Sequence, residues 1–214
     1  MSIEKNQTLK INGQKMTAIY LPGESDLERS RRLSQKLIER HQLVGLGNFL
    51  RERNLVIGFT TGAFDIPHYG HSRYLQIIKS ISDVLVVGVN SDKSIKGYKN
   101  PDRPIVGQDD RTELLSSFED VNYLTIFDEL DGAEVIRLLK PDNYLCVIGS
   151  WQGELGSKTE VMAMAEIGGQ VYFCPPQGPK ISTTAIIERI EKSHGERIIP
   201  TLKAELEMKA NDGL

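Results

Sequence analysis

The sequence predicts an α/β protein built on a doubly wound parallel sheet, preceded by an N-terminal hairpin-helix extension. Two short, almost continuous apolar runs carry the first part of this reading. Leu55–Thr60 (LVIGFT) and Val84–Val89 (VLVVGV) have the composition of strands buried on both faces. Helical segments near 109–118, 131–140, 157–167 and 183–193 then alternate with strand-like segments near 121–127, 143–148 and 170–174. The alternation with short links implies a parallel sheet covered by helices on both faces, and right-handed crossovers then make it doubly wound.

Before that region the pattern differs. From Leu9 to Tyr20 two strand-like runs flank Asn12-Gly13, the dipeptide most suited to a two-residue hairpin. Pro22-Gly23 breaks the chain. Ser25 and Glu28 have capping-box spacing, and Leu27, Leu33, Leu37 and Ile38 follow at helical spacing, which predicts an amphipathic helix over 26–41. Leu43–Gly47 fits either a second short helix or a loop. The expected organisation is an accessory element over 1–50, a main α/β domain over 51–194, and a charged, partly helical tail over 195–214. The accessory element is expected to pack on the core or across a homodimer, because an isolated hairpin is marginal in water.

Composition bounds the partners. The 214 residues are 39% hydrophobic and 26% charged, with a formal net charge of −3. The charge balance gives no basic excess to neutralise a nucleic-acid backbone. No apolar run reaches the roughly 20 residues of a membrane span, and the N-terminus has no signal-peptide core. Two cysteines, Cys146 and Cys174, without metal-site spacing suit a reducing cytoplasm.

In a doubly wound sheet ligands gather at the carboxyl ends of the strands. The segment after the first such strand is Thr61-Gly62-Ala63-Phe64-Asp65-Ile66-Pro67-His68-Tyr69-Gly70-His71. Gly62 suits a tight turn out of the strand, and Pro67 fixes the backbone ahead of a helix. Two of the chain's four histidines, His68 and His71, stand three residues apart where a helix should begin. Imidazole donors beside free helix N–H groups bind phosphate. Zinc is the alternative ligand for such a pair, but no third ligand has a defined spacing and Asp65 alone is weak support.

GAFDIPHYGH resembles the GxFDxxHxGH signature of the cytidylyltransferase-like nucleotidyltransferases. The likeness continues in register through Gly88–Ser94 (GVNSDKS), Lys99 with Arg103-Pro104-Ile105, Asp110-Arg111, Phe127-Asp128-Glu129 and Ile181–Thr184 (ISTT). It is greatest to the adenylyltransferase branch that makes ADP-heptose, with the alcohol-phosphate cytidylyltransferases as relatives. The resemblance implies a Rossmann-like nucleotidyltransferase fold. It also implies transfer of a nucleoside monophosphate from ATP, or CTP, to the phosphate of a small sugar or alcohol phosphate, with release of pyrophosphate and with Mg²⁺ accompanying the triphosphate. His68, His71 and Lys99 are then the catalytic residues. Thr61, Gly62, Phe64, Asp65, Gly70, Asn90, Asp92, Arg111, Ser182, Thr183 and Thr184 form the nucleotide site. Several of these have a second reading: Arg111 touches phosphate or pairs with Asp109, Asp65 orients a ligand or caps the next helix, and Ser182–Thr184 bind anions or simply cap a helix.

Two departures from the family pattern bear on function. The heptose branch usually has a KGGD-like motif after the strand near 143–148; here the segment is Cys146–Trp151 (CVIGSW), without that lysine and aspartate. The alcohol-phosphate branch usually has an arginine five residues before its STT, and Gln177 occupies that place. Trp151 either stacks on a base or sugar or packs in the protein. These departures keep open a nucleotide-binding regulator without turnover, and, more distantly, a scaffold. Gly153–Thr159 (GELGSKT) looks like a P-loop but breaks its spacing, so Lys158 reads as part of a solvated helix start. No G-x-G-x-x-G follows the first strand, which argues against a dinucleotide oxidoreductase.

Overall fold

The computed structural model describes residues 6–11, 14–19, 32–33, 35–99, 102–147, 158–176 and 181–194. The chain divides into two compact units, Met1–Gln35 and Lys36–Leu214. In the first, β1 (Asn6–Ile11) and β2 (Gln14–Ile19) pair antiparallel, with Ile11 opposite Gln14. That register leaves a two-residue connection at Asn12-Gly13, as the sequence predicts.

The expected helix over 26–41 is shorter than its periodicity suggests. Residues 32–33 and 35–36 are helical, but Leu37 forms a parallel bridge with Leu124 and the Ile38 N–H donates to the Leu124 carbonyl at 2.8 Å. Hydrogen bonding to the sheet edge thus replaces the helix ladder at Leu37. Ser25 and Glu28 lie outside the described residues. The ambiguous Leu43 segment is helical: α1 runs Leu43–Arg51. Leu43 and Leu50 are buried in the core of the second unit, so the boundary expected after residue 50 falls instead between Gln35 and Lys36.

The second unit carries a five-stranded, all-parallel sheet. Its strands are β3 (Ile57–Gly62), β4 (Val84–Asn90), β5 (Tyr123–Phe127), β6 (Asn143–Val147) and β7 (Gln170–Cys174), in spatial order β5-β4-β3-β6-β7. Between them run α2 (Tyr69–Ser80), α3 (Asp92–Tyr98), α4 (Gln108–Ser116), α5 (Ala133–Leu139) and α6 (Thr159–Ile167). A further helix, α7, covers 183–194.

Strand β4 shows why the fold forms. All seven of its residues are buried, and they alternate between two cores. Val84 and Val86 join Phe59, Ile136, Leu139 and Tyr144 on one face, while Leu85, Val87 and Val89 join Leu75, Ile78 and Leu115 on the other. The two-residue period of a strand feeds both faces at once. The chain starts the sheet at β3, winds outward to β5, then returns to place β6 on the other side of β3. The strand order reverses between β3 and β6, and the crevice there opens at their carboxyl ends.

Candidate active site

A cavity of about 420 Å³ lies at that switch point. His68, His71, Lys99, Thr61, Gly62, Phe64, Asp65, Gly70, Ser182, Thr183 and Thr184 line it, which brings together eleven of the residues expected from sequence. Asn90, Asp92 and Arg111 are absent from the wall. Arg103, Tyr74, Tyr144, Cys146 and Lys158 join it, although the sequence does not single them out as site residues.

The His pair is held by an unusual cap. His68 is the N-cap of α2, with extended backbone, and its Nδ1 accepts the Gly70 N–H at 3.1 Å. His71, at the third helical position, accepts the His68 N–H on its own Nδ1 at 3.3 Å. This is a capping box in which imidazoles replace the usual hydroxyl and carboxylate. The rings stack 4.0 Å apart, and Phe64 packs against His71 at 5.3 Å between centroids. Because both Nδ1 atoms accept, each neutral ring carries its proton on Nε2, which is left as a donor. Burial lowers the His68 pKa. Burial, then the charges of His68 and Lys99, push His71 down to about 4. Both rings are therefore neutral donors near pH 7.

The loop that delivers them is strained. Phe64 and Ile66 have φ of 48° and 49°, a region that a β-branched residue rarely adopts. Gly62 acts through space rather than through a turn: a Cβ there would meet the Phe64 ring at 3.0 Å, and Phe64 supports His71.

Asp65 is 2% exposed and its carboxylate is fully engaged. Arg103 Nε donates to it at 2.6 Å, Val106 N–H at 3.0 Å and Ile105 N–H at 3.1 Å. Burial would raise its pKa, but the N–H donors of Val106 and Ile105 and the Arg103 guanidinium outweigh burial and hold it low. Its carbonyl accepts the Thr183 hydroxyl. Asp65 is therefore a clamp joining the His loop, the 103–106 loop and the start of α7, and the cap of the next helix is His68 instead.

Arg111 is 0% exposed. It donates to the carbonyls of Val106 at 2.9 Å, Asn90 at 2.9 Å and Ala63, and to Asp92 Oδ1 at 2.8 Å. Its partner is Asp92, not Asp109, and its contacts are structural. Asn90 donates to Ser94 Oγ at 2.9 Å and is buried. Lys99 ends α3, and desolvation, then Arg103, lower its pKa against the opposing pull of Asp65. Ser182 caps α7, its Oγ accepting the Ala185 N–H at 3.0 Å. Trp151 and Gln177 lie outside the described residues.

Arg103 belongs to one of the motifs but not to the expected site, and its Asp65 pairing is a long-range contact that no local spacing signals. Tyr74 and Tyr144 are buried aromatics that no motif marks. Lys158 falls in the false P-loop, whose broken spacing hides it.

A model described as cytidylyltransferase-like matches residues 59–189. The chain belongs to the cytidylyltransferase-like family. It is 45% identical over 141 residues to a "Bifunctional protein HldE" from a Nitratiruptor species, covering 66% of this chain and 29% of the relative. A protein of the same description from Helicobacter acinonychis is 40% identical over 157 residues, covering 70% and 30%. The chain thus spans under a third of the length of these relatives. The lipopolysaccharide core biosynthesis protein of Thermoplasma volcanium superposes with a TM-score of 0.47 at 26% identity, covering 57% of this chain and 96% of that one. The cytidylyltransferase-like match spans β3 to α7, so every cavity residue drawn from the motifs lies inside it.

Proposed function

We propose that this cytidylyltransferase-like chain moves a nucleoside monophosphate from ATP, or alternatively CTP, onto the phosphate of a small sugar or alcohol phosphate, releasing pyrophosphate. The observation that carries this reading is the neutral His68–His71 pair, with both Nδ1 atoms tied to backbone N–H groups and both rings on one cavity wall. The acceptor phosphate attacks the α-phosphorus, the bond to the β-phosphate bridging oxygen breaks, and pyrophosphate leaves. A phosphate is already a nucleophile, so no general base is needed, and catalysis is positioning and charge stabilisation. The two Nε2–H groups donate to the transferring phosphoryl oxygens, and the Lys99 ammonium meets negative charge as it develops.

Mg²⁺ belongs to this reading as the counter-ion of the triphosphate. The described residues hold no cluster of three metal-ligating side chains, and Asp65, the one carboxylate among the described residues of the cavity wall, is consumed by Arg103 and two backbone N–H groups. They do not fit a resident metal site, and no step is assigned to the ion. The same reading places the chain in the cytoplasm as a homodimer, with the β1–β2 hairpin as an accessory element; its two unpaired cysteines suit that compartment. No helix among the described residues is long and apolar enough to cross a membrane.

A pyrophosphate-release screen of ATP and CTP against sugar phosphates, glycerol phosphate and amino-alcohol phosphates tests the proposal. Turnover with ATP and a sugar phosphate is expected. Nucleotide binding without release from any pair would favour a regulatory protein, the reading that the missing KGGD-like motif keeps open.

A further inference from the structure

Lys158 reads from sequence as a solvated helix start, yet it forms part of the cavity wall. It is the N-cap of α6, with its side chain 15% exposed. Its Nζ lies 3.3 Å from Cys146 Sγ at the end of β6 and 3.6 Å from Glu160 Oε2. Glu160 is 3% exposed, and Oε2 has no hydrogen-bond partner among the described residues. Its other carboxylate oxygen accepts from the Tyr144 hydroxyl at 3.4 Å, and that hydroxyl lies 3.3 Å from Thr61 Oγ1 at the end of β3. A carboxylate this buried is costly unless a cation faces it. Glu160 thus pins an ammonium against the end of β6. An ammonium has three N–H donors; among the described residues the carboxylate and the thiol engage at most two of them.

The charges of the cavity wall point the same way. Among the described residues of the wall, Lys99, Arg103 and Lys158 stand against Asp65 alone, in a chain whose formal net charge is −3. Arg103 is bound to Asp65, which leaves two ammoniums. They follow β4 and β6, the two neighbours of β3, whose following loop carries the His pair. In-line displacement at phosphorus likewise puts the entering and leaving oxygens on opposite sides of the reacting centre.

We propose that Lys158 is a phosphate-contacting residue, its ammonium binding a phosphoryl oxygen of a bound polyphosphate from the β6 side, with Glu160 as its positioning residue. It rests on the nucleotidyl-transfer reading for its place in a reaction, but the contact itself can be measured without an acceptor. Lys158 supplies, from the start of α6, a cation on the strand end where the KGGD-like lysine is missing.

The probe is inorganic tripolyphosphate, titrated calorimetrically into the full chain, alongside the pyrophosphate-release screen. Removing Lys158 alone strands Glu160, so the main variant is the double substitution Lys158→Met/Glu160→Gln. It should bind tripolyphosphate about tenfold more weakly, the scale of one hydrogen bond to a charged group. Lys158→Arg should stay within about threefold of wild type, and Lys93→Met, at an exposed lysine outside the cavity, should match it. If the double variant fails to fold, Lys158→Gln, which keeps a donor toward Glu160, reads out the same loss. Unchanged affinity in a folded variant lacking the ammonium, or a wild-type chain that does not bind tripolyphosphate, overturns the inference. Tripolyphosphate binding that depends on Lys158, without pyrophosphate release from any nucleotide and acceptor, leaves this contact standing and removes the transfer reading instead.

Discussion

The loop from Thr61 to His71 and the stretch from Lys99 to Arg111 both carry nitrogen donors to the region of the switch point, and they commit those donors in opposite ways. In the first, backbone N–H groups occupy Nδ1 of each imidazole, which leaves Nε2–H for a ligand. In the second, carboxylates and carbonyls occupy the guanidinium donors. Arg103 is tied to Asp65, and Arg111 to Asp92 and three carbonyls. Only Lys99, at the end of α3, lacks a carboxylate partner among the described ion pairs of that stretch. A residue type states what a side chain is able to donate. Which donors remain after folding decides whether it serves the ligand or the scaffold.

The comparison breaks most visibly at the histidines. His68→Ala and His71→Ala are each expected to cut pyrophosphate release by about 10²–10³-fold, the loss seen when one preorganised donor is removed. Near-normal release by His71→Ala would mean that its Nε2–H does not face the reacting phosphate. Arg111→Met should behave in the reverse manner. It leaves three buried carbonyls and Asp92 without their donor, a destabilisation of about 3 kcal/mol in denaturant unfolding, with the activity of the remaining folded fraction little changed. A large, selective loss of kcat in a fully folded Arg111→Met chain would place that arginine back among the ligand contacts.

The same contrast is sharpened by pH. The His71 pKa is about 4 in the folded chain, below the ordinary value near 6.5. Between those values the unfolded chain binds more protons than the native one, so stability falls as pH drops from about 6.5 toward 4. The second proton must enter at Nδ1, where it displaces the His68 N–H. For His71 alone the loss between pH 7 and pH 5 is about 2 kcal/mol. Urea unfolding at the two pH values, repeated with His71→Asn, should show that the substitution removes most of this difference; an equal pH dependence in the variant would sink the assignment. The smallest effect is expected at the start of α7. Ser182→Ala removes a plain N-cap and should cost about 1 kcal/mol by thermal or chemical melting. A drop in nucleotide affinity larger than that stability loss would show that the hydroxyl also meets the ligand.

Much of the scaffold is legible from local pattern. The apolar runs, the Asn12-Gly13 turn and the alternation of helices and strands are short-range signals, and β4, β6, β7 and the hairpin lie close to where those signals put them. The helix expected to reach residue 41 fails for a nonlocal reason: Leu37 and Ile38 pair with Leu124, far along the chain. The burial of Leu43 and Leu50 likewise depends on the surface offered by α5 and β3.

The sequence by itself determined the parallel α/β architecture, the place of the His motif after β3, and the family, because each of these is written in residue order and period. Only the tertiary structure decided that Asp65 is a clamp, that Arg111 is internal and that Lys158 faces the cavity. Each of those outcomes depends on which of several equally capable partners comes within about 3–4 Å. That distance is set by how α-helices and loops far apart in sequence settle on the two faces of the sheet, and spacing along the chain carries no record of it.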